Sequence, residues 1–382
     1  MKHSMEGLHY KSLKTIRVDI EQDIISNIAE IKSSKNNYWI APGLVDLQVN
    51  GFRGKDFNQE DTNIEDVELI TKYLWETGVT TYFPTLITNS DANIRHSIKN
   101  IVHAFKEKSI KETIGGIHLE GPFLSKENGP RGAHPLEFIQ APNWDLFCKW
   151  QEIAEGKIKM ITLSPEWLAS TAFISKCVDR GVVVAIGHTA ASPAQIQEAV
   201  AAGASISTHL GNATHAMLPR HSNYIWEQLA SEGLWSTIIA DGFHLPDSLL
   251  KVLLKVKPEM TVLVSDATKF AGMKPGRYHS HIGGDIELDQ QGRLFMKDSP
   301  DFLAGSAKSL LDCIENLSNR QITSLAKAID MASIKALEAI KARPSFGLEI
   351  GKKADLMVFE QVEGKINIVQ TIKAGKIVYS RT

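Results

Sequence analysis

No apolar run in the 382-residue chain is long enough to cross a bilayer. The opening stretch, MKHSMEGLHYKSLKTIRVDI, has neither an apolar h-region nor a cleavage site. No block of like charge occurs. Lys+Arg 42 against Asp+Glu 44 leave a formal net charge of −2, which gives no electrostatic reason to expect nucleic acid or an anionic membrane as partner. Cysteine is scarce: Cys148, Cys177 and Cys313 stand far apart, fit no CxxC metal motif and suit no disulfide framework, so they read as reduced thiols. Repeats and low-complexity tracts are also lacking. Together these absences lead us to expect a cytoplasmic enzyme or binding protein with no nucleic-acid and no membrane partner.

What is present is 43% hydrophobic residues, enough for one large domain and a small one. Eight short apolar runs rich in β-branched residues recur: GLVDLQV (43–49), GVTTYFPTL (78–86), GGIHLEG (115–121), IKMITLSP (158–165), GVVVAIGH (181–188), ASISTHL (204–210), STIIADG (236–242) and MTVLVSDA (260–267). Most are bounded by Gly, Pro, Ser or Asp, as strands are. Between them lie stretches with helical spacing, such as IEDVELITKYLWETG (64–78) and SPAQIQEAVAAGA (192–204), where Ser192 can cap and Pro193 suits the first turn. This alternation predicts an α/β protein, a (β/α)8 TIM-type barrel over residues 42–345. A doubly wound open sheet would alternate in the same way, but the count is eight and no GxGxxG follows the first strand. Residues 1–41 and 346–382 carry strand-like patches and glycine turns that a barrel does not need. They predict a small β-sandwich domain built from both chain ends. HIGGDIELDQQGRLFMK (281–297) reads as a hairpin after the eighth strand.

The strand ends carry the chemistry. Glu120 closes an apolar strand, where an ionised carboxylate costs several kcal/mol unless something pairs with it. The fifth strand ends at His188 and the sixth runs into His209, Asn212 and His215. The seventh leads to Asp241 and His244, and the eighth ends at Asp266. In a parallel barrel all these ends share one face. One such histidine alone is more often a satisfied structural residue; five stretches in barrel order point to a site. Glu120, His188 and His209 are a plausible ligand set for a catalytic zinc-like ion, which would activate water and polarise a carbonyl. Asp266 is then available as general base and later acid, and His244 or His134 could orient the substrate or stabilise negative charge.

APGLVDLQVNG, HLEGPFL, KENGPRGAHP, ITLSPE, AIGHTAA, THLGNA, IIADGFH, LVSDAT and LAGSAKSL occur in that order. Over roughly residues 40 to 380 the chain thereby resembles the N-acetylglucosamine-6-phosphate deacetylases of the amidohydrolase superfamily. The resemblance implies hydrolysis of N-acetylglucosamine 6-phosphate to glucosamine 6-phosphate and acetate. It implies a metal on Glu120, His188 and His209, with Asp266 as the base. Asn212, Ala213 and the backbone around Ala133 and His134 would contact the sugar or its phosphate, Leu303 would lie near the acetyl group, and His244 would bind substrate and stabilise the transition state. Arg220 sits where the family carries a phosphate-binding arginine that reaches the neighbouring subunit, which implies a homodimer.

Two departures qualify these expectations. Gln48 and Asn50 stand where much of the superfamily has His-x-His, and amides are poor ligands for a zinc-like ion. One divalent transition metal per subunit is therefore expected: zinc first, with iron, manganese or cobalt as alternatives. After THLGNA the chain reads THAMLPRHSNYIWEQ, with extra histidines His215 and His221, and Lys269 follows SDAT. These differences leave open another N-acyl substrate, such as N-acetylgalactosamine 6-phosphate or an N-acyl amino acid. A non-catalytic barrel scaffold should have lost a ligand or the base, and here Glu120, His188, His209 and Asp266 are all present.

Overall fold

The computed structural model describes residues 2–34, 36–280, 284–342 and 346–381. Eight strands follow one another in a parallel sheet: β1 (Leu44–Val49), β2 (Val79–Ile87), β3 (Ile117–Glu120), β4 (Ile158–Leu163), β5 (Val183–Ile186), β6 (Ile206–Ser207), β7 (Trp235–Ile238) and β8 (Thr261–Leu263). Every neighbouring pair from β1 to β8 is parallel. The first strand meets the last through a parallel bridge between Val49 and Ala267, and the amides of Asn50 and Gly51 donate to the Ala267 carbonyl at 2.8 and 3.1 Å. The expected eight-stranded barrel is therefore the fold. All six residues of β1 are buried, which explains why the strands read as continuous apolar runs rather than alternating ones. Val45, Leu47, Phe83, Met160, Ile206 and Val262 fill the interior and pack on Ala336, Leu337 and Phe346.

Helices cover the outer face. Ile64–Trp75 is capped by Asn63, and Pro193–Ala201 carries the expected Ser192 cap, in a capping box with Gln195. β6 is shorter than the seven apolar residues suggested. The chain leaves the strand at Thr208 and turns at His209, whose φ is +29°. Among the described residues no helix is long and apolar enough to cross a membrane.

Both chain ends build one seven-stranded sheet in the order Lys376–Ser380, Lys365–Lys373, Leu356–Val362, Trp39–Pro42, Lys2–His9, Thr15–Glu21 and Ile24–Glu30. The sheet curls until its far strand meets the approach to Leu356–Val362: Ile25 N donates to Lys352 O and Ala354 N to Asp23 O, at 2.9 and 2.8 Å. Val18, Ile20, Ile25, Ile40, Leu356 and Phe359 fill the fold so made, the small β-sandwich expected of the ends. The insertion after β8 is larger than a hairpin. Gly284–Leu288 and Leu294–Met296 pair as expected, but Gly276–Ser280 and Ser299–Leu303 flank them to give four antiparallel strands. Residues 281–283 of the expected hairpin lie outside the described residues. Ile286, Leu288 and Leu294 pack on Phe270 and Ala307, which lays this small sheet against the loop after β8.

Candidate active site

Three of the strand-end residues leave their strands in left-handed backbone: φ is +48° at His188, +29° at His209 and +47° at Asp266. Non-glycine residues rarely hold that conformation, and its clustering at one mouth is a mark of function rather than of packing. The turn takes each side chain off the strand's two-residue alternation and swings it over the end of the barrel. Glu120, the last residue of β3, completes the group.

The geometry is tight. Glu120 Oε1 lies 3.2 Å from His209 Nε2 and 3.4 Å from His188 Nε2, and the two imidazole nitrogens are 3.1 Å apart. Ligands on a tetrahedral ion with bonds of 2.0–2.1 Å stand about 3.3–3.4 Å from one another, so the donor set has the spacing such an ion needs. His188 Nδ1 donates to the Pro130 carbonyl at 2.9 Å, which fixes the tautomer and turns the Nε2 lone pair to the group. The His209 amide donates to Thr237 Oγ1 at 2.7 Å. Glu120, His134 and His188 also form a buried group, with ligand atoms within 4.8 Å of one another, that could hold a metal ion. His134 is tied back by Nδ1 to Thr88 Oγ1 at 2.9 Å and packs edge-on against His188.

The acids at this mouth are met by imidazoles and amides. Burial pushes the Glu120 carboxyl up, but hydrogen bonds from His188 and His209 and their charge outweigh it and hold it well below the usual range. Burial lowers His209, and its bond to Glu120 more than restores it. Burial and the nearby Glu120 charge push Asp266 up to about 6. Gln48 Nε2 donates to both carboxylates, at 2.9 Å to Glu120 Oε1 and 3.0 Å to Asp266 Oδ1, and Asn50 Nδ2 reaches Asp266 Oδ1 at 2.8 Å. The two amides that stand in place of His-x-His are thus donors to the acid pair. Two residues apart, Gln48 and Asn50 fall on one side of the chain as it leaves β1, and both reach the acids. His244 Nδ1 bonds Asp241 Oδ2 at 2.7 Å. Burial raises the Asp241 carboxyl, and His244 outweighs it and holds it low.

Glu120, His188, His209, Asp266, Asn50 and His244 line one cavity of about 390 Å³, together with Ala133, His134, Asn212, Ala213 and Leu303. Arg220 is not among its lining residues; it lies exposed on the loop after β6, as does His221. His215 is half-buried at the rim. Lys269 lies over the Phe270 ring, which lines the cavity. Sequence reasoning missed Pro130 and Thr88, which orient two of the histidines, and Met296 and Phe270, which form an apolar wall. Met296 was hidden because its strand belongs to the insertion, and Phe270 because it sits in the irregular loop after β8. The carbonyl of Pro130 carries no side-chain signal at all.

The chain matches the Amidohydrolase family over residues 39–378. It is 33% identical over 359 residues to the N-acetylglucosamine-6-phosphate deacetylase of Danio rerio, covering 90% of this chain and 85% of that relative. It is 29% identical over 388 residues to the enzyme of the same name from Bacillus subtilis, covering 99% and 93%. The crystal structure of N-acetylglucosamine-6-phosphate deacetylase from Pasteurella multocida superposes with a TM-score of 0.87 at 25% identity, covering 99% of this chain and 100% of that one.

Proposed function

The chain belongs to the amidohydrolase family, and from that premise we propose that it hydrolyses N-acetylglucosamine 6-phosphate to glucosamine 6-phosphate and acetate. The observation that carries the reading is the convergence of Glu120, His188 and His209 within 3.4 Å, beside Asp266, in a cavity. Relatives over nearly the whole chain bear the name of that activity.

Glu120, His188 and His209 would hold one divalent transition ion per subunit, zinc before iron, manganese or cobalt. When bound, such an ion polarises the acetamide carbonyl and makes water a better nucleophile near neutral pH. The rest falls to the chain. Gln48 and Asn50 hold Asp266 Oδ1, which leaves Oδ2 to take a proton from the attacking water and return it to the departing amine. Asp241 accepts a hydrogen bond from His244 Nδ1, which orients the ring and leaves Nε2 to face the substrate. Asn212, Ala213, Ala133 and His134 line the walls that would grip the sugar and its phosphate, and Leu303 the end that would take the acetyl methyl. Arg220, exposed here, would complete the phosphate site of a second subunit, making the working unit a homodimer. Three free cysteines support a cytoplasmic setting.

The test is acetate release from N-acetylglucosamine 6-phosphate by metal-loaded protein, with N-acetylglucosamine and N-acetylgalactosamine 6-phosphate beside it and metal content measured in parallel. Release from the first substrate, lost on chelation and regained with zinc, is expected at one metal per subunit. Turnover of only another N-acyl compound would move the substrate, and two metals per subunit would refute the single-ion site.

A further inference from the structure

The cavity has two walls that come from different loops. One is the loop after β3, whose Gly129, Gly132, Ala133 and His134 line it; the other is the loop after β6, which contributes Asn212, Ala213 and Thr214. Neither is a regular element, so the gap between them must be set by cross-links. His215 supplies one. Its Nε2 lies 2.9 Å from Glu127 Oε2 on the first loop, and its Nδ1 lies 2.9 Å from the Tyr224 hydroxyl beyond the second. Tyr224 is buried and opens a helix capped by Asn223, so it is a fixed post. The His215 amide also donates to the Tyr224 hydroxyl, at 2.9 Å. The Glu127 carboxylate can only accept, so Nε2 carries a proton and donates it there.

A second observation places the same contact. Gly129 has φ +93°, and a Cβ there would meet Thr214 O at 2.8 Å and His215 Cα at 3.0 Å. The two loops touch backbone to backbone at this point, which only a glycine permits. The first loop also carries Pro130, whose carbonyl receives His188 Nδ1.

We propose that His215 is a positioning residue for this reaction: it clasps the loop after β3 to the loop after β6 and so sets the width of the sugar-binding gap. The inference rests on the function proposed above. His215 itself stands outside the cavity lining. Asp266, Glu120 and His209 are held from the strand ends by Gln48, Asn50 and Thr237. Loss of the clasp therefore acts chiefly on substrate binding, and reaches the chemical step only through Pro130 and the His188 that it orients.

The two ends of the clasp separate by substitution. In His215→Gln the amide nitrogen falls where Nε2 was and still reaches Glu127. In His215→Asn the amide oxygen replaces Nδ1 and reaches only Tyr224. For metal-loaded His215→Ala and His215→Asn we expect KM to rise about tenfold, equivalent to 1.4 kcal/mol of binding, with a smaller fall in kcat. His215→Gln should keep most of the wild-type KM. Glu127→Ala should match His215→Ala, and the double variant should be no worse than either. An unchanged KM in His215→Ala, or equal losses in Gln and Asn, overturns the clasp. Hydrogen–deuterium exchange of the substrate-free protein gives a reading independent of the substrate. Peptides from 125–134 should exchange faster in the Ala and Asn variants and not in Gln, and no difference overturns it. A wild-type protein that releases no acetate would sink the proposed function, while these exchange rates would still decide whether the loops are clasped.

Discussion

Two buried carboxylate networks differ in one respect. Where the terminal sheet meets β2, Asp355 is 2% exposed and both its oxygens are satisfied: Oδ2 by Lys373 Nζ and Oδ1 by Ala374 N, each at 2.7 Å. Lys373 reaches on to Thr81 Oγ1 of β2 at 3.1 Å. At the barrel mouth, Glu120 and Asp266 share one amide donor, Gln48, and their hydrogen bonds among the described residues come from amides and imidazoles, not from Lys or Arg. The first network has equal and opposite charge and acts as a fastener. The second brings two carboxylates together with incomplete compensation, which costs stability and is retained where chemistry needs it.

The sharpest way to break this contrast is Asp266→Asn. We expect acetate release per folded molecule to fall about 10²–10⁴-fold, the usual share of a general acid–base group. Its melting temperature should hold or rise, because one of two crowded carboxylates is gone. A lower melting temperature with intact activity would make Asp266 a fastener like Asp355. Next comes Lys373→Met, which strands Asp355 and should cost about 3–5 kcal/mol in urea unfolding. Activity per folded molecule should stay unchanged, and adding Asp355→Leu should recover most of the stability. Loss of activity in that double variant would tie the junction to the site.

The smallest effect concerns a third carboxylate. Asp46 accepts the amides of Ser265 and Gln48 through Oδ1, its Oδ2 has no partner, and burial pushes it up to about 7. Between its unfolded value near 4 and about 7, the folded chain holds a proton that the unfolded chain releases. This carboxyl's contribution therefore falls as pH rises through that window. Asp46→Asn cannot titrate, so its melting temperature relative to wild type should improve by a few degrees from pH 5 to pH 8. A gap that stays constant would mean that Asp46 ionises alike in both states.

Much of this was legible in advance because topology does the placing. A parallel barrel sends every strand end to one face, so Glu120, His188, His209, His244 and Asp266 could be gathered from the order of the runs alone. Ser192 and Pro193 announced their helix because capping is local. What could not be read depends on irregularity. Gln48 and Asn50 looked like missing ligands, and only the three-dimensional contacts with Glu120 and Asp266 show them as donors to the acids. The outer strands of the insertion were missed because GRYHS and SPDFL lack alternation. Asp46 looked like one more polar residue in an apolar run, yet it caps amides on both sides of the seam between β1 and β8.

Strand Trp39–Pro42 pairs on one side with Lys2–His9 and on the other with Leu356–Val362. A ribosome therefore releases the first of these partners long before the last. Throughout synthesis of the barrel, this strand presents a row of unpaired backbone groups, a template for any neighbouring nascent chain. Closing it requires a loop that spans the whole barrel, so we expect the sheet to be the late and slow part of folding. A chain truncated at Asp355 would keep every residue of the mouth, lose the last three strands of the sheet and still aggregate.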